Sequence, residues 1–326
     1  MPDEIAPAGT AARPDDVLGE ILAGLGNRQK TLPAKLFYDE IGCELFNRIT
    51  QLPEYYVTRA EVALLDLHAD EIAARAPGAN GAGGTALVEY GAADESKGVR
   101  LIDAASAPFR AYVPIDIAPS ALDAIVRRMR TSHPDILLSP IAADFMQPLA
   151  LPPGVATLPS MGFFPGSTIG NFRPQAVVGF LQLVRQTLSG GGEPCLVVGI
   201  DLRKDPSRLV PAYDDAAGVT AAFNRNILRH VNHLADGSFD PDSFVHRAIW
   251  NERDGRIEMH LQSPRSQTVR VGGRTIQFVA GETIHTEDSY KHTRDGFVAL
   301  AATAGWRSDG FWTDPDGLFG MHLLRG

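Results

Sequence analysis

The clearest pattern along the chain is a series of short apolar runs spaced by helical stretches. Residues 86–90 (ALVEY) end in Gly91, and 110–116 (RAYVPID), 135–140 (DILLSP), 159–164 (PSMGFF) and 195–200 (CLVVGI) follow. Between them, 119–130 and 174–188 carry the helical period. Apolar strands alternating with helices predict a parallel sheet covered on both faces.

The flanks read differently. Residues 16–25 form a short amphipathic helix, and 31–47 (TLPAKLFYDEIGCELFN) an aromatic-rich turn and helix. Residues 54–74 read as a long helix with Thr58 as its N-cap. Residues 77–85 (PGANGAGGT) have the composition of a flexible loop. From 244 to 280 four stretches alternate in strand fashion, joined by Arg253-Asp254-Gly255 and Gly272-Gly273 turns, which predicts an antiparallel meander. A helix over 290–304 and a hairpin of 306–313 with 318–324 close the chain. Five βα-type strands plus a terminal hairpin favour a class I, seven-stranded, Rossmann-like methyltransferase sheet over a generic doubly wound nucleotide-binding fold. The α/β fold class then divides into a disordered start (1–14), a substrate-binding domain (15–65 with 201–291) and a cofactor-binding domain (66–200 with 292–326).

Composition narrows the partners. The 326 residues carry 30 Lys+Arg against 39 Asp+Glu, a net charge of −9, with 44% hydrophobic residues. That is ample for a core, and with no basic stripe it argues against nucleic acid. The two cysteines, Cys43 and Cys195, form no CxxC pair, which suggests a reducing compartment and no structural zinc. No signal peptide or membrane-length apolar run is visible. A cytoplasmic monomer acting on small molecules, without a metal, is expected.

The turn after the first strand, Glu89-Tyr90-Gly91-Ala92-Ala93-Asp94-Glu95-Ser96-Lys97, lacks the dinucleotide Gly-x-Gly-x-x-Gly. Its acids would repel a pyrophosphate and suit a cofactor with cationic sulfonium and amino groups. Asp116, ending the second strand, is placed to accept both ribose hydroxyls, or else caps the next helix. Asp144-Phe145, after the third strand, reads as an adenine contact or as a surface loop with one buried ring. After the fourth strand, Phe164-Pro165-Gly166-Ser167-Thr168-Ile169-Gly170-Asn171-Phe172 either aims an amide into a cleft or is ordinary turn chemistry.

At this point the chain resembles the L-histidine Nα-methyltransferases of ergothioneine biosynthesis, from about Leu32 to the C-terminus. The strongest pieces are LPAKLFYDEIGCELFNRITQLPEYYVTRAE (32–61), GSTIGNF (166–172) and AYDDAAGVTAAFNRNIL (212–228), with RIEM (256–259) and Glu287-Asp288-Ser289. The resemblance implies S-adenosylmethionine as methyl donor, S-adenosylhomocysteine as product, and the trimethylated betaine of histidine as end point. It also implies cofactor contacts at Gly91, Lys97, Asp116, Asp144 and Phe145. Tyr55, Gly166, Asn171 and Tyr213 would hold the backbone of the amino acid, Glu287 and Ser289 its imidazole, with Met259 beside it. Tyr38 and Asn171 would stand closest to the reacting amine. The loop departs from the family pattern at Ala93, Asp94 and Glu95, while Lys97 keeps its register.

Each residue also has a plainer reading. Tyr55 and Tyr56 could anchor a helix start, with only one facing a ligand. Tyr213 could cap a helix, Met259 could be strand packing, and Glu287 could belong to a solvated charge cluster with His285 and Asp288. Two other functions stay open: Nα-methylation of another amino acid such as tryptophan, and a non-catalytic amino-acid- or nucleoside-binding relative.

Overall fold

The computed structural model describes residues 14–78, 84–106 and 109–326. The expected disordered start, apart from Pro14, and five residues of the 77–85 loop lie outside them.

The chain opens with α1 (Pro14–Gly26), the short strand β1 (Lys30–Thr31), a 3-10 turn over Ala34–Phe37 and α2 (Glu40–Ile49). Asp39 caps α2 by accepting the Gly42 N–H at 2.7 Å. α3 (Val57–Ala73) follows. Thr58 is its second residue and not its cap: the helix starts two residues earlier than that cap would allow, at the buried Val57 next to the buried Tyr56.

The βα series comprises β2 (Thr85–Tyr90), α4 (Ser96–Ala104), β3 (Phe109–Asp116), α5 (Pro119–Ser132), β4 (Leu137–Leu138), β5 (Ile141–Ala142), β6 (Ser160–Phe164), α6 (Pro174–Leu188) and β7 (Cys195–Asp201). Pro119 and Pro174 stand at helix starts, where their fixed φ suits the first turn. After β7 come α7 (Pro206–Leu209), α8 (Val219–Ala235), and the strands β8 (Val245–Asn251), β9 (Arg256–Gln262), β10 (Gln267–Val271), β11 (Arg274–Phe278) and β12 (Thr283–Tyr290). The chain ends with α9 (Arg294–Thr303), β13 (Arg307–Thr313) and β14 (Phe319–Arg325).

Two compact units result. Among the described residues, one holds Ala60–Leu202 and His292–Gly326, the other 14–59 and Arg203–Lys291. The first is built on the order β13-β14-β7-β6-β2-β3-β4, with β5 also pairing β3. The strands from β7 to β5 run parallel, and the β13–β14 hairpin joins β7 antiparallel. This is the class I methyltransferase sheet. The expected third strand over 135–140 is split into β4 and β5, because Pro140 between them has no N–H to donate to the ladder. Val88, Val113, Phe164, Phe180, Val198 and Phe297 are fully buried in its core, each contributing roughly 1.5–3 kcal/mol.

The second unit departs from the expected meander. β8, β9, β12 and β1 form one sheet in the order β1-β12-β9-β8, while β10 and β11 pair only with each other. Tyr290, expected to open a helix, ends β12, and α9 begins only at Arg294, capped by Thr293. α8 buries Val219, Phe223, Ile227 and Val231 along one face. It starts where the Asp215 carboxylate accepts the Val219 and Thr220 amides at 2.9 and 2.7 Å. No helix among the described residues is long and apolar enough to cross a membrane.

Candidate functional site

Asp116 ends β3, and Gly91, Asp144 and Gly166 follow β2, β5 and β6, at the carboxyl edge where open α/β sheets bind ligands. Gly91 takes φ 71°, a conformation favouring glycine, and its N–H donates to the Ile115 carbonyl at 2.8 Å. A Cβ there would lie 3.5 Å from Phe145, so this turn rests directly on that ring. Phe145 is held by Phe164 and Phe180, with centroids 5.5 and 5.8 Å away. Asp144 accepts the Met146 amide at 2.8 Å. Asp116 accepts the Ala118 amide at 2.8 Å; burial raises its pKa, against the pull of the Ala118 and Ile117 amides. Ile117, 55% exposed, was not singled out from the sequence. A carboxylate with an exposed apolar side chain next to it fits a ribose and a flat base.

The acidic loop needs correction. Glu89 is not on its surface: it is 1% exposed, and the Tyr112 hydroxyl donates to it at 2.6 Å. Burial pushes its carboxyl up to about 8, so it is mostly uncharged at neutral pH. Glu95 is paired with Arg128 at 2.5 Å. Asp94 accepts the Ser96 amide at 2.8 Å, and its charge acts on the Lys97 ammonium. The electrostatic argument for a cationic cofactor therefore loses most of its weight, and the residue contacts carry it.

Lys97 is held in place by a residue that the sequence reading overlooked. Glu61, fully buried, receives the Lys97 ammonium at 2.6 Å on one oxygen and the Gly166 N–H at 2.7 Å on the other. Burial works against the charge of Lys97, but Glu61, Asp94 and Glu89 outweigh it and raise its pKa. Gly166 (φ 79°) and Ser167 (φ 55°) are both left-handed. Ser167 is held there by the Asp201 amide donating to its Oγ at 2.8 Å. Such strain in a non-glycine residue persists only where the surroundings fix it. Asn171 ends the short 3-10 turn that follows.

Tyr38, Tyr55, Tyr213, Met259, Glu287 and Ser289 lie on the second unit. Tyr55 packs edge-on against Tyr213, with centroids 6.2 Å apart. Tyr56 instead accepts from Lys204 at 2.8 Å, so the two adjacent tyrosines have separate partners. Met259 and Glu287 are register partners across β9 and β12, and a bulge between His285 and Glu287 resets the faces of β12. Burial pushes the Glu287 carboxyl up to about 8, against the Lys291 ammonium and with the help of Asp288. Tyr38 is 39% exposed. Even so, burial first and Glu287 next hold its hydroxyl well above 10, so it keeps its proton at neutral pH.

Tyr213 is fixed from two sides. Its hydroxyl lies 2.8 Å from Ser289 Oγ. Its carbonyl accepts from His246 Nε2 at 2.8 Å, and His246 Nδ1 accepts from Asn224, which in turn receives Thr286 Oγ1 at 2.7 Å. The bulge residue Thr286 is thereby tied to the position of Tyr213. On β9 and β12, Glu258, His260 and His285 bring metal-capable atoms within 4.8 Å of one another, but Arg256 already supplies cationic charge to Glu258 at 2.6 Å.

Comparison with known proteins places the chain in a family. A family profile described as histidine-specific methyltransferase, SAM-dependent, matches residues 17–326. The chain is 41% identical to a histidine N-alpha-methyltransferase of Mycolicibacterium smegmatis over 308 residues, covering 93% of both chains. It is 39% identical to the protein of that name in Mycobacterium tuberculosis, again covering 93% of both. Ergothioneine biosynthesis protein 1 of Neurospora crassa is 28% identical over 92% of this chain, which spans 33% of that protein.

Proposed function

The chain belongs to the S-adenosylmethionine-dependent, histidine-specific methyltransferases, and on that premise we propose that it methylates the α-amine of L-histidine up to the trimethylated betaine, as the first step of ergothioneine biosynthesis. The observation that carries the choice of substrate is the half-buried, desolvated Glu287 opposite Met259 in the strand register and two residues before Ser289, which bonds Tyr213. A desolvated carboxyl discriminates strongly for a ligand with an N–H to offer, because an apolar side chain leaves it unpaired.

S-adenosylmethionine supplies a sulfonium methyl group: its C–S bond breaks as the C–N bond forms, and the amine gives up a proton. Gly91, Asp116, Asp144 and Phe145 would hold the nucleoside, and the Glu61–Lys97–Gly166 group the edge beside it. Asn171 would orient the amine and carboxylate of histidine, with Tyr55 and Tyr213 on the carboxylate. Neutral partners suit the amine, since a carboxylate against it would raise its pKa and keep it protonated. Tyr38 stays protonated, so its role is to donate or to shape, and the proton leaves to water. Alignment of this kind is worth about 7–11 kcal/mol of barrier.

Incubation with S-adenosylmethionine and each common amino acid, read by mass spectrometry, tests the reading. One to three added methyl groups on histidine, lost in Glu287→Ala, are expected. Methylation of tryptophan in preference to histidine would refute the substrate, and no transfer to any amino acid would refute the activity.

A further inference from the structure

Lys291 stands one residue past β12, two and four positions beyond Ser289 and Glu287. It is 5% exposed. Its Nζ lies 2.7 Å from Tyr213 Oη and 2.7 Å from Ser289 Oγ, which are themselves 2.8 Å apart. The ammonium also lies 4.6 Å from the centre of the Tyr213 ring. Its own backbone N–H donates to the Gly255 carbonyl at 2.9 Å, which anchors it at the β8–β9 turn. Tyr213 and the end of β12, through Ser289 and Lys291, thus close one buried hydrogen-bonded ring, and nothing in the sequence assigned its cationic member.

We propose that Lys291 is a positioning and specificity residue for substrate capture: it fixes the Tyr213 and Ser289 hydroxyls as one unit and provides the positive charge that lets Glu287 meet an imidazole N–H as a carboxylate. This rests on the histidine reading above. A buried ammonium donates without accepting, so both hydroxyls turn a lone pair to it; one hydroxyl proton serves the bond between them, and the other is left for a further partner. The groups acting on Glu287 are Lys291 and Asp288 from its own strand segment and Tyr38 from the N-terminal segment. Among these only Lys291 favours the ionised form. Low dielectric makes such a charge count for far more than it would in water.

The test uses the trimethylated betaine of histidine, whose amine carries no proton to titrate, as a calorimetric probe from pH 7 to 9.5. Wild type, Lys291→Met and Lys291→Arg are compared, with histidine KM and kcat measured alongside. For Lys291→Met, the midpoint of the pH dependence is expected to rise by a unit or more. Histidine KM should rise at least tenfold, while S-adenosylmethionine affinity stays within twofold. Lys291→Arg, which keeps the charge, should restore the midpoint. A Lys291→Met midpoint within about 0.3 pH unit of wild type, with KM within twofold, would overturn the proposal while leaving the histidine reading intact. If wild type binds neither betaine nor histidine, both fall together. Should Lys291→Met not fold, Lys291→Gln keeps a hydrogen-bond donor at the position without the charge: an upward midpoint supports the proposal, and an unchanged one overturns it.

Discussion

Glu287 offers the sharpest quantitative test of how burial shapes this site. With its carboxyl near 8 in the free protein, only about one molecule in ten carries the charge at pH 7. If the imidazole N–H is recognised by the carboxylate, binding must first expel that proton. The betaine should therefore bind about tenfold more weakly at pH 7 than at pH 9, a difference of about 1.4 kcal/mol. The sign follows from the direction of the shift: the competent form is lost as pH falls through 8. Calorimetry in buffers of different ionisation enthalpy should also show close to one proton released per betaine bound at pH 7, declining toward zero at pH 9. In Glu287→Gln both signals should vanish. Affinity that is flat or falls with pH in the wild type would show the protonated carboxyl donating to the imidazole, and the carboxylate argument would be wrong. An unchanged slope in Glu287→Gln would assign the proton to another group.

Three further outcomes follow from local geometry. Asp116→Ala should weaken S-adenosylmethionine binding by about 10- to 100-fold, the worth of lost charge-assisted hydrogen bonds, with an unaltered far-ultraviolet spectrum; calorimetric affinity within twofold of wild type would remove Asp116 from the ribose. In Gly98→Ala the new Cβ would meet Glu89 Oε2 2.3 Å away, and Glu89 is pinned by Tyr112. Overpacking of about 1–3 kcal/mol outweighs a helix-propensity gain of at most about 1 kcal/mol, so urea unfolding should show net loss, and a gain in stability would refute that balance. His322, fully buried between Phe297 and Phe311, has its pKa pushed down by burial to about 4. Its contribution is complete above the unfolded value near 6.5 and is lost as pH falls through 4, about 3 kcal/mol in all. His322→Phe should flatten that part of the stability–pH curve, and an unchanged slope would refute the assignment.

The doubly wound half was legible because its strands are buried on both faces. β2 and β6 are apolar runs whose neighbours in the sheet leave no polar face to obscure the pattern. β12 was not legible. Its side chains, Thr-Ile-His-Thr-Glu-Asp-Ser-Tyr, are mostly polar because both faces carry chemistry. Arg256 and His285 meet Asp288 on one side, and Lys291 meets Ser289 on the other. The bulge at Thr286 then breaks the period of two that would mark a strand. Had β12 been read as extended, the spacing Glu287, Ser289, Lys291 would have brought Lys291 into the substrate group at once. Glu61 had no local signal, since its partners Lys97 and Gly166 lie 36 and 105 positions away.

The charges were harder to read than the strands, and three glutamates explain why. Counted along the sequence, Glu61, Glu89 and Glu287 are equal negative charges. In the fold, Glu61 is buried against a lysine and a backbone N–H and works as a strut. Glu89 is buried against a phenol, whose single hydrogen bond cannot offset desolvation, so its charge is largely lost. Glu287 is half-buried, and desolvation pushes it up to about 8 against the Lys291 charge, so a small change in its surroundings, such as an arriving imidazole, shifts its protonation by a large fraction. A carboxyl held at that balance point responds to its ligand in a way that neither a fully paired nor a solvated one does. Selectivity for an N–H donor is thus a property of the surroundings of Glu287 as much as of its protonation: Glu89 is pushed up to about 8 as well, but one of its oxygens is already taken by the Tyr112 hydroxyl, so the value alone does not make a recognition site.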